Sequence, residues 1–425
     1  MRSVRLPASI AGPVLTLTLT LSVSIILSFP LPSAAEPSVP PAGLSLHVLV
    51  EQAWQRSVAA STLAARQDEA AAGSALAQSR LAGAPTLGLA ERSDRWTGDR
   101  GQRELEISLS APVLLPGQQA ARSRLAARSA EDVEARLLRA RLEVAGAVRQ
   151  RLWEAAAARE LLAEKEAHLH HLEGLRDEVQ RRVKAGDLAR SDGLLAEQEV
   201  LAARGGIAQA RSRAGEALTR FLLLTGAAAL PHLDPEPLPP PMEPAPSPRE
   251  DHARLRAAEA AERRARAAVA LASASAQGAP TVALSMRRER DSAVTGAERS
   301  IGIALQIPLG SRARNRPAET LAATELATAA AELSETRAAI GLEEAQARSQ
   351  VADANEALQA AQARAEALRE HTALFERAFK LGERGLADLL RSRTLSHDAE
   401  VSVRQQRVAL GLAHAQLNQV SGIIP

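Results

Sequence analysis

The sequence contains no cysteine and no tyrosine, and aromatic residues make up only 2% of its 425 positions. Without cysteine there are no disulfides and no thiol chemistry, and a lipidated N-terminal cysteine is ruled out. Ordinary globular cores draw heavily on Phe, Tyr and Trp. Here Ala and Leu carry the apolar content with charges threaded between them, which fits long helices packed closely side by side. Beyond the N-terminal segment no long apolar run occurs, which excludes a polytopic helical membrane protein. A large charge of one sign is also missing, with 52 basic against 50 acidic residues. The high isoelectric point therefore reflects a small arginine surplus in a chain lacking Tyr and Cys, and no nucleic-acid partner is indicated. Phosphate-cradling loops, nucleophile elbows and zinc-protease signatures are absent too. Gly205-Gly206 has no strand before it, so it is not a phosphate cradle. These residues offer no catalytic machinery and no cofactor site.

What is present begins with Arg2 and Arg5, an apolar run over 10–29, and small residues at Ser33-Ala34-Ala35. That is the three-part pattern of a secretory signal peptide, expected over 1–35 with the mature chain starting near Glu36. The rival reading is an uncleaved anchor, but Thr and Ser interrupt the run, and Pro30 and Pro32 end it.

The remainder reads as two copies of one unit. Ala84-Pro85-Thr86 recurs as Ala279-Pro280-Thr281, and Gly186, Asp192 and Gly226 recur as Gly382, Asp388 and Gly422. The expected organisation is repeat one over 36–230, a proline-rich extended connector over 231–248 and repeat two over 249–425. Each copy opens with a helical stretch, about 44–81 and about 250–276. Two alternating segments follow. Leu87 and Leu89, then Leu105, Ile107 and Leu109, alternate with small or polar residues in the first copy. Val282, Leu284 and Met286, then Ile301, Ile303, Leu305 and Ile307, do the same in the second. Period two marks strands with one apolar and one polar face, so hairpins are expected at about 85–112 and 280–308.

A long helical hairpin follows each strand hairpin. From 118 to 184 there is no proline, and Val133, Leu137, Ala140, Val144 and Ala147 keep a coiled-coil spacing. Breakers at Ala185-Gly186-Asp187 and over 382–385 set the hairpin tips, near 186–192 and 382–388. The fold class expected is mainly α with a small β part. Four strands with one apolar face leave two unpaired edges, which a bilayer penalises by several kcal/mol per group. Several identical chains contributing four strands each would close a barrel, with lipid outside and a polar lumen inside. The alternative is a soluble sheet capping a periplasmic coiled coil, or an adaptor. The girdle aromatics usual in membrane barrels are nearly missing, with only Trp96 close to a strand end.

The strand ends Leu109-Ser110-Ala111-Pro112-Val113 and Leu305-Gln306-Ile307-Pro308-Leu309-Gly310, with the tips Lys184-Ala185-Gly186-Asp187-Leu188-Ala189-Arg190-Ser191-Asp192 and Leu381-Gly382-Glu383-Arg384-Gly385-Leu386-Ala387-Asp388, form an ordered set. That set resembles the TolC-type outer-membrane factor family over nearly all of the chain after the signal. The resemblance implies a homotrimer with a twelve-strand β-barrel in outer-membrane lipid and a helical tunnel in the periplasm. It also implies tips docking on a periplasmic adaptor (a membrane fusion protein) that links the duct to an inner-membrane pump. The text Arg181-Arg182-Val183-Lys184-Ala185-Gly186-Asp187-Leu188 is most similar to the heavy-metal, cobalt–zinc–cadmium type branch, with drug efflux or type I protein secretion the alternatives within the family.

Candidate site residues follow. Gly186, Asp192, Gly382, Gly385, Leu386, Asp388 and Arg391 are expected at the tunnel entrance and docking tips. Three copies of Asp388 would make a cation-favouring ring, set against the plainer role of starting a helix turn. Arg391 stands where some relatives carry a second acid, which argues against a strongly cation-selective gate and suggests pairing with an acid in a closed tip. His168 and His171 share a helix face at a spacing metal ligands use, flanked by Glu166 and Glu173. Nothing nearby in sequence completes a site, and exposed helix positions are the expectation there.

Overall fold

The computed structural model describes residues 45–98, 100–227, 229–231, 234–239, 251–294 and 296–425. The expected signal peptide over 1–35 lies outside the described residues, as do 232–233 and 240–248 of the connector. In chain order the elements are α1 (Leu46–Arg56), α2 (Val58–Ser61), α3 (Leu63–Gln78), β1 (Thr86–Ser93), β2 (Arg103–Pro112), α4 (Pro116–Ala185) and α5 (Arg190–Thr225). The second half runs α6 (Ala253–Ala274), β3 (Thr281–Arg290), β4 (Glu298–Gln306), α7 (Arg312–Lys380) and α8 (Leu386–Val420). The chain is thus mainly helical with one small antiparallel sheet.

The first helical stretch is three pieces, not one. The Ser57 N–H bonds the Trp54 carbonyl, while its hydroxyl accepts the Ala60 N–H at 3.1 Å and so caps α2. A serine that satisfies both ends locally competes with a continuous helix. By contrast α4 runs unbroken for 70 residues, about 105 Å at 1.5 Å per residue. Pro116 sits in its first turn, where a missing N–H costs nothing. Gly186 ends it at φ 87°, donating to the Arg182 and Val183 carbonyls. Residues with a Cβ resist that left-handed turn. Helix α7 starts at Arg312, where the Ser311 hydroxyl accepts the Arg314 N–H and caps the first turn, and it runs through Pro317.

The expected coiled-coil seam is misplaced. Val133, Leu137, Ala140 and Val144 are only half-buried and Ala147 is exposed. The buried stripe instead follows Ala135, Leu142, Ala145, Arg149, Leu152 and Ala156. Helix α4 packs on α5, α6 and α8 together, so its buried side is set by several neighbours and not by one partner at one heptad seam. Small residues let those helices approach closely. At Gly411 of α8 a Cβ would come within 2.0 Å of the buried Trp153 ring of α4. Leu49 and Val50 of α1 pack with Val148 and Leu152 of α4 and Phe221 of α5, sealing the end of the first hairpin away from its tip.

The four strands form one meander in the order β1-β2-β3-β4. The β2–β3 pairing joins the two copies, with Ile107 opposite Met286 and Leu109 opposite Leu284. Strands β1 and β4 are the two edges.

Candidate functional site

Register turns the alternation into two continuous surfaces. On one face, Leu87, Leu109, Leu284 and Ile303 form a row across all four strands, and Leu89, Ile107, Met286 and Ile301 form the next. Ala111, Val282 and Leu305 add a third. These side chains meet no helix; Leu87 is 76% exposed and Ile303 80%. On the other face the rows are small, namely Thr86-Ser110-Ala283-Ala304 and Gly88-Ser108-Ser285-Gly302. A Cβ at Gly88 would approach Ser108 Oγ to 2.5 Å, so a side chain there would push the Ser108 hydroxyl aside. Toward the loops the polar face becomes charged. Arg287 lies 2.9 Å from Glu104 and 3.5 Å from Glu106, and Arg92 lies 3.3 Å from Glu104. A contiguous apolar face of this extent is unusual in a chain that meets only water. Among the described residues no helix is long and apolar enough to cross a membrane.

At the other end of the long helices the two tips pack together. Leu175, Val179 and Ala196 of the first hairpin meet Phe379, Leu386, Leu389 and Leu390 of the second. The Arg182 guanidinium sits 4.9 Å from the Phe379 ring centre. Among the expected tip residues, Gly186 and Gly382 take positive φ, at 87° and 78°, and make the turns. Gly385 is extended, as any residue could be, and Leu386 is buried in the cluster. The matching aspartates differ. Asp192 accepts the Ala189 N–H at 3.2 Å and so caps α5. Asp388 is exposed at the same position of α8 and makes no such bond. Arg391 is exposed as well, and among the described residues neither it nor Asp388 forms an ion pair.

The two candidate histidines differ: His171 is an exposed helix position, as expected, whereas His168 is not. His168 is half-buried and stacks on His397 of α8, ring centres 3.9 Å apart and planes 15° apart. His397 Nε2 lies 2.7 Å from the buried Glu164 carboxylate, without hydrogen-bond alignment. His171, Glu376 and Arg393 line the same cleft, of about 300 Å³. The flanking acids point elsewhere: Glu166 pairs with Arg211 and Glu173 with Arg204, both on α5. Stacked rings hold their in-plane lone pairs parallel, so His168 and His397 do not converge on one ion. Among the described residues no three His, Cys, Asp or Glu side chains gather with metal-ligand geometry. His397 was missed because it lies on another helix, far along the chain from His168.

Burial, then the adjacent His397, lowers the His168 pKa from 6.5 to about 4. Burial and then Arg393 lower that of His171. A histidine depressed in this way contributes stability that is whole above pH 6.5 and is lost as pH falls toward 4. The wild-type unfolding temperature should therefore drop more across pH 6.5 to 4 than that of His168→Gln, measured in parallel by circular dichroism. Equal slopes would show that the stack has no such role.

No protein-family model matches the sequence, and no curated protein matches it. The arrangement of sheet, long helical hairpins and paired tips matches the fold of solved outer-membrane channels. In particular, the chain superposes on the Vibrio cholerae outer membrane protein VceC with TM-score 0.72 at 15% identity, over 89% of this chain and 96% of that one. The CmeC outer membrane channel of Campylobacter jejuni gives 0.71 at 14%, over 89% and 85%. The open-state MtrE outer membrane channel of Neisseria gonorrhoeae gives 0.68 at 18%, over 89% and 88%.

Proposed function

We propose that the chain is the outer-membrane exit duct of a tripartite efflux system, assembled as a homotrimer. One observation carries this reading: a four-stranded sheet with an exposed apolar face in three lateral rows and two unpaired edges. Such a sheet is incomplete alone. Three copies make a twelve-strand wall whose edges pair with one another, which satisfies every ladder group inside a bilayer. The small inner rows leave room for a lumen, and the helices extend it into the periplasm. The tips dock on a periplasmic adaptor that couples to an inner-membrane pump. The cargo is small toxic compounds, with metal ions favoured by the tip text over 181–188. Loss of the gene should then lower tolerance to zinc, cobalt or cadmium; unchanged tolerance beside a lost dye or drug tolerance would reassign the cargo.

The unequal aspartates give a sharper test. Among the described residues Asp388 forms no hydrogen bond or ion pair through its side chain, so three copies are available to line the entrance, whereas Asp192 holds a helix start. In planar bilayers under a salt gradient, Asp388→Asn should shift the reversal potential away from cation preference and leave the melting curve unchanged. Asp192→Ala should cost about 0.3–1.5 kcal/mol of stability, the range for losing one helix-end contact, with little effect on selectivity. The opposite pattern, selectivity following Asp192 and not Asp388, would remove Asp388 from the entrance.

A further inference from the structure

The two faces of the sheet divide their charge unequally near the hairpin loops. On the polar face Arg92 and Arg287 stand among Glu104, Glu106, Glu289 and Glu298, and both arginines are ion-paired. On the apolar face the corresponding positions are Arg103, Arg288, Arg290 and Arg299, with Glu91 the acid beside them. Two of these pairs are direct cross-strand neighbours: Arg103 faces Arg290, and Arg288 faces Arg299. Like charges directly opposite one another destabilise a sheet. Among the described residues Arg103, Arg288 and Arg299 form no ion pair that would offset this. All four arginines are exposed. The cluster begins one row past Leu89, Ile107, Met286 and Ile301, at the loop end of the apolar band.

We infer that these arginines form a binding site for the phosphate groups of anionic lipid in the outer leaflet, a basic belt standing where barrels of this kind usually carry aromatic side chains. The inference rests on the proposed barrel, whose helices on the periplasmic side place the hairpin loops on the outer side. An arginine fork matches phosphate oxygens in bidentate fashion. A phosphate between two opposed arginines converts their repulsion into attraction. The acyl chains of the same lipid then lie along the Met286, Leu284 and Val282 column, which continues from Arg288 on the same face of β3. A free anion would fit the charge but not this adjoining apolar track, so the occupant is a phosphorylated lipid.

The test uses the full chain reconstituted in phosphatidylcholine vesicles containing either diphosphorylated lipid A or its dephosphorylated form. Native mass spectrometry reads retained lipid, and the unfolding temperature of the assembly reads stabilisation. The phosphorylated lipid should be retained and should stabilise the wild type; the dephosphorylated lipid and added inorganic phosphate should not. Arg288→Gln with Arg299→Gln should weaken retention about tenfold or more, the scale of losing a charge-assisted hydrogen bond. Equal retention of both lipids by the wild type would overturn the inference without any variant. So would undiminished retention by a double variant that still assembles. Failure of the wild type to enter vesicles at all would overturn the barrel reading beneath it, which is a separate outcome.

Discussion

Leu284→Arg should abolish assembly in the membrane, whereas Ser285→Arg, one residue away, should leave it intact. Leu284 sits at the centre of the apolar face, between Leu109 and Ile303. On the proposed reading it lies near the middle of the bilayer. An arginine facing lipid at that depth costs about 2–4 kcal/mol per chain, and a trimer bears the cost three times. Ser285 faces the other way, between Ser108 and Gly302, where a long charged side chain extends into the lumen and stays hydrated. Detergent-extracted membranes run on a gel without boiling would report the assembled fraction. Similar loss in both variants, or in neither, would mean that the two faces do not meet lipid and water respectively.

The second large effect concerns how the connector is anchored. Arg149 on α4 is 3% exposed and its guanidinium lies 2.8 Å from the Glu236 carboxylate of the connector. The same side chain donates to Gln419 Oε1 at 2.8 Å and to the Ile423 carbonyl at 3.0 Å. Asn418 of α8 donates to Glu236 and to the Pro237 carbonyl, both at 3.1 Å. Removing one partner of a buried ion pair strands the other charge, at about 3–5 kcal/mol. Arg149→Met should therefore lower stability by that amount in chemical denaturation. The double variant with Glu236→Gln should recover much of it, because no buried charge is left alone. A single variant as stable as wild type would show the cluster to be dispensable.

Much of this fold can be read from local chemistry. The strands announce themselves because each has one face, so period two survives in the text from Leu87 to Ile307. The tips announce themselves because only a residue without Cβ turns easily at the φ of Gly186 and Gly382. What is not local is not legible. The buried side of α4 depends on three neighbouring helices, so a seam drawn through Val133 and Ala147 missed it. His168 gains its burial from His397, and Glu236 its partners from α4 and α8, contacts that no spacing along the chain encodes. The split between Asp192 and Asp388 is equally hidden: the same residue type at the same helix position caps in one copy and stays free in the other.

The most direct test of the closed wall exploits the absence of cysteine, since any disulfide must come from introduced pairs. Ala90→Cys on β1 would be combined in turn with Ser300→Cys, Gly302→Cys or Ala304→Cys on β4. Within one chain β1 and β4 are separated by three strand spacings, about 14 Å at 4.8 Å each, beyond the roughly 7 Å limit for Cα atoms in a disulfide. If three chains close the barrel edge to edge, oxidation of membranes should give, for one register, a covalent ladder on a denaturing gel that stops at three chains. Monomer alone in every register, or a ladder running past three, would contradict the account.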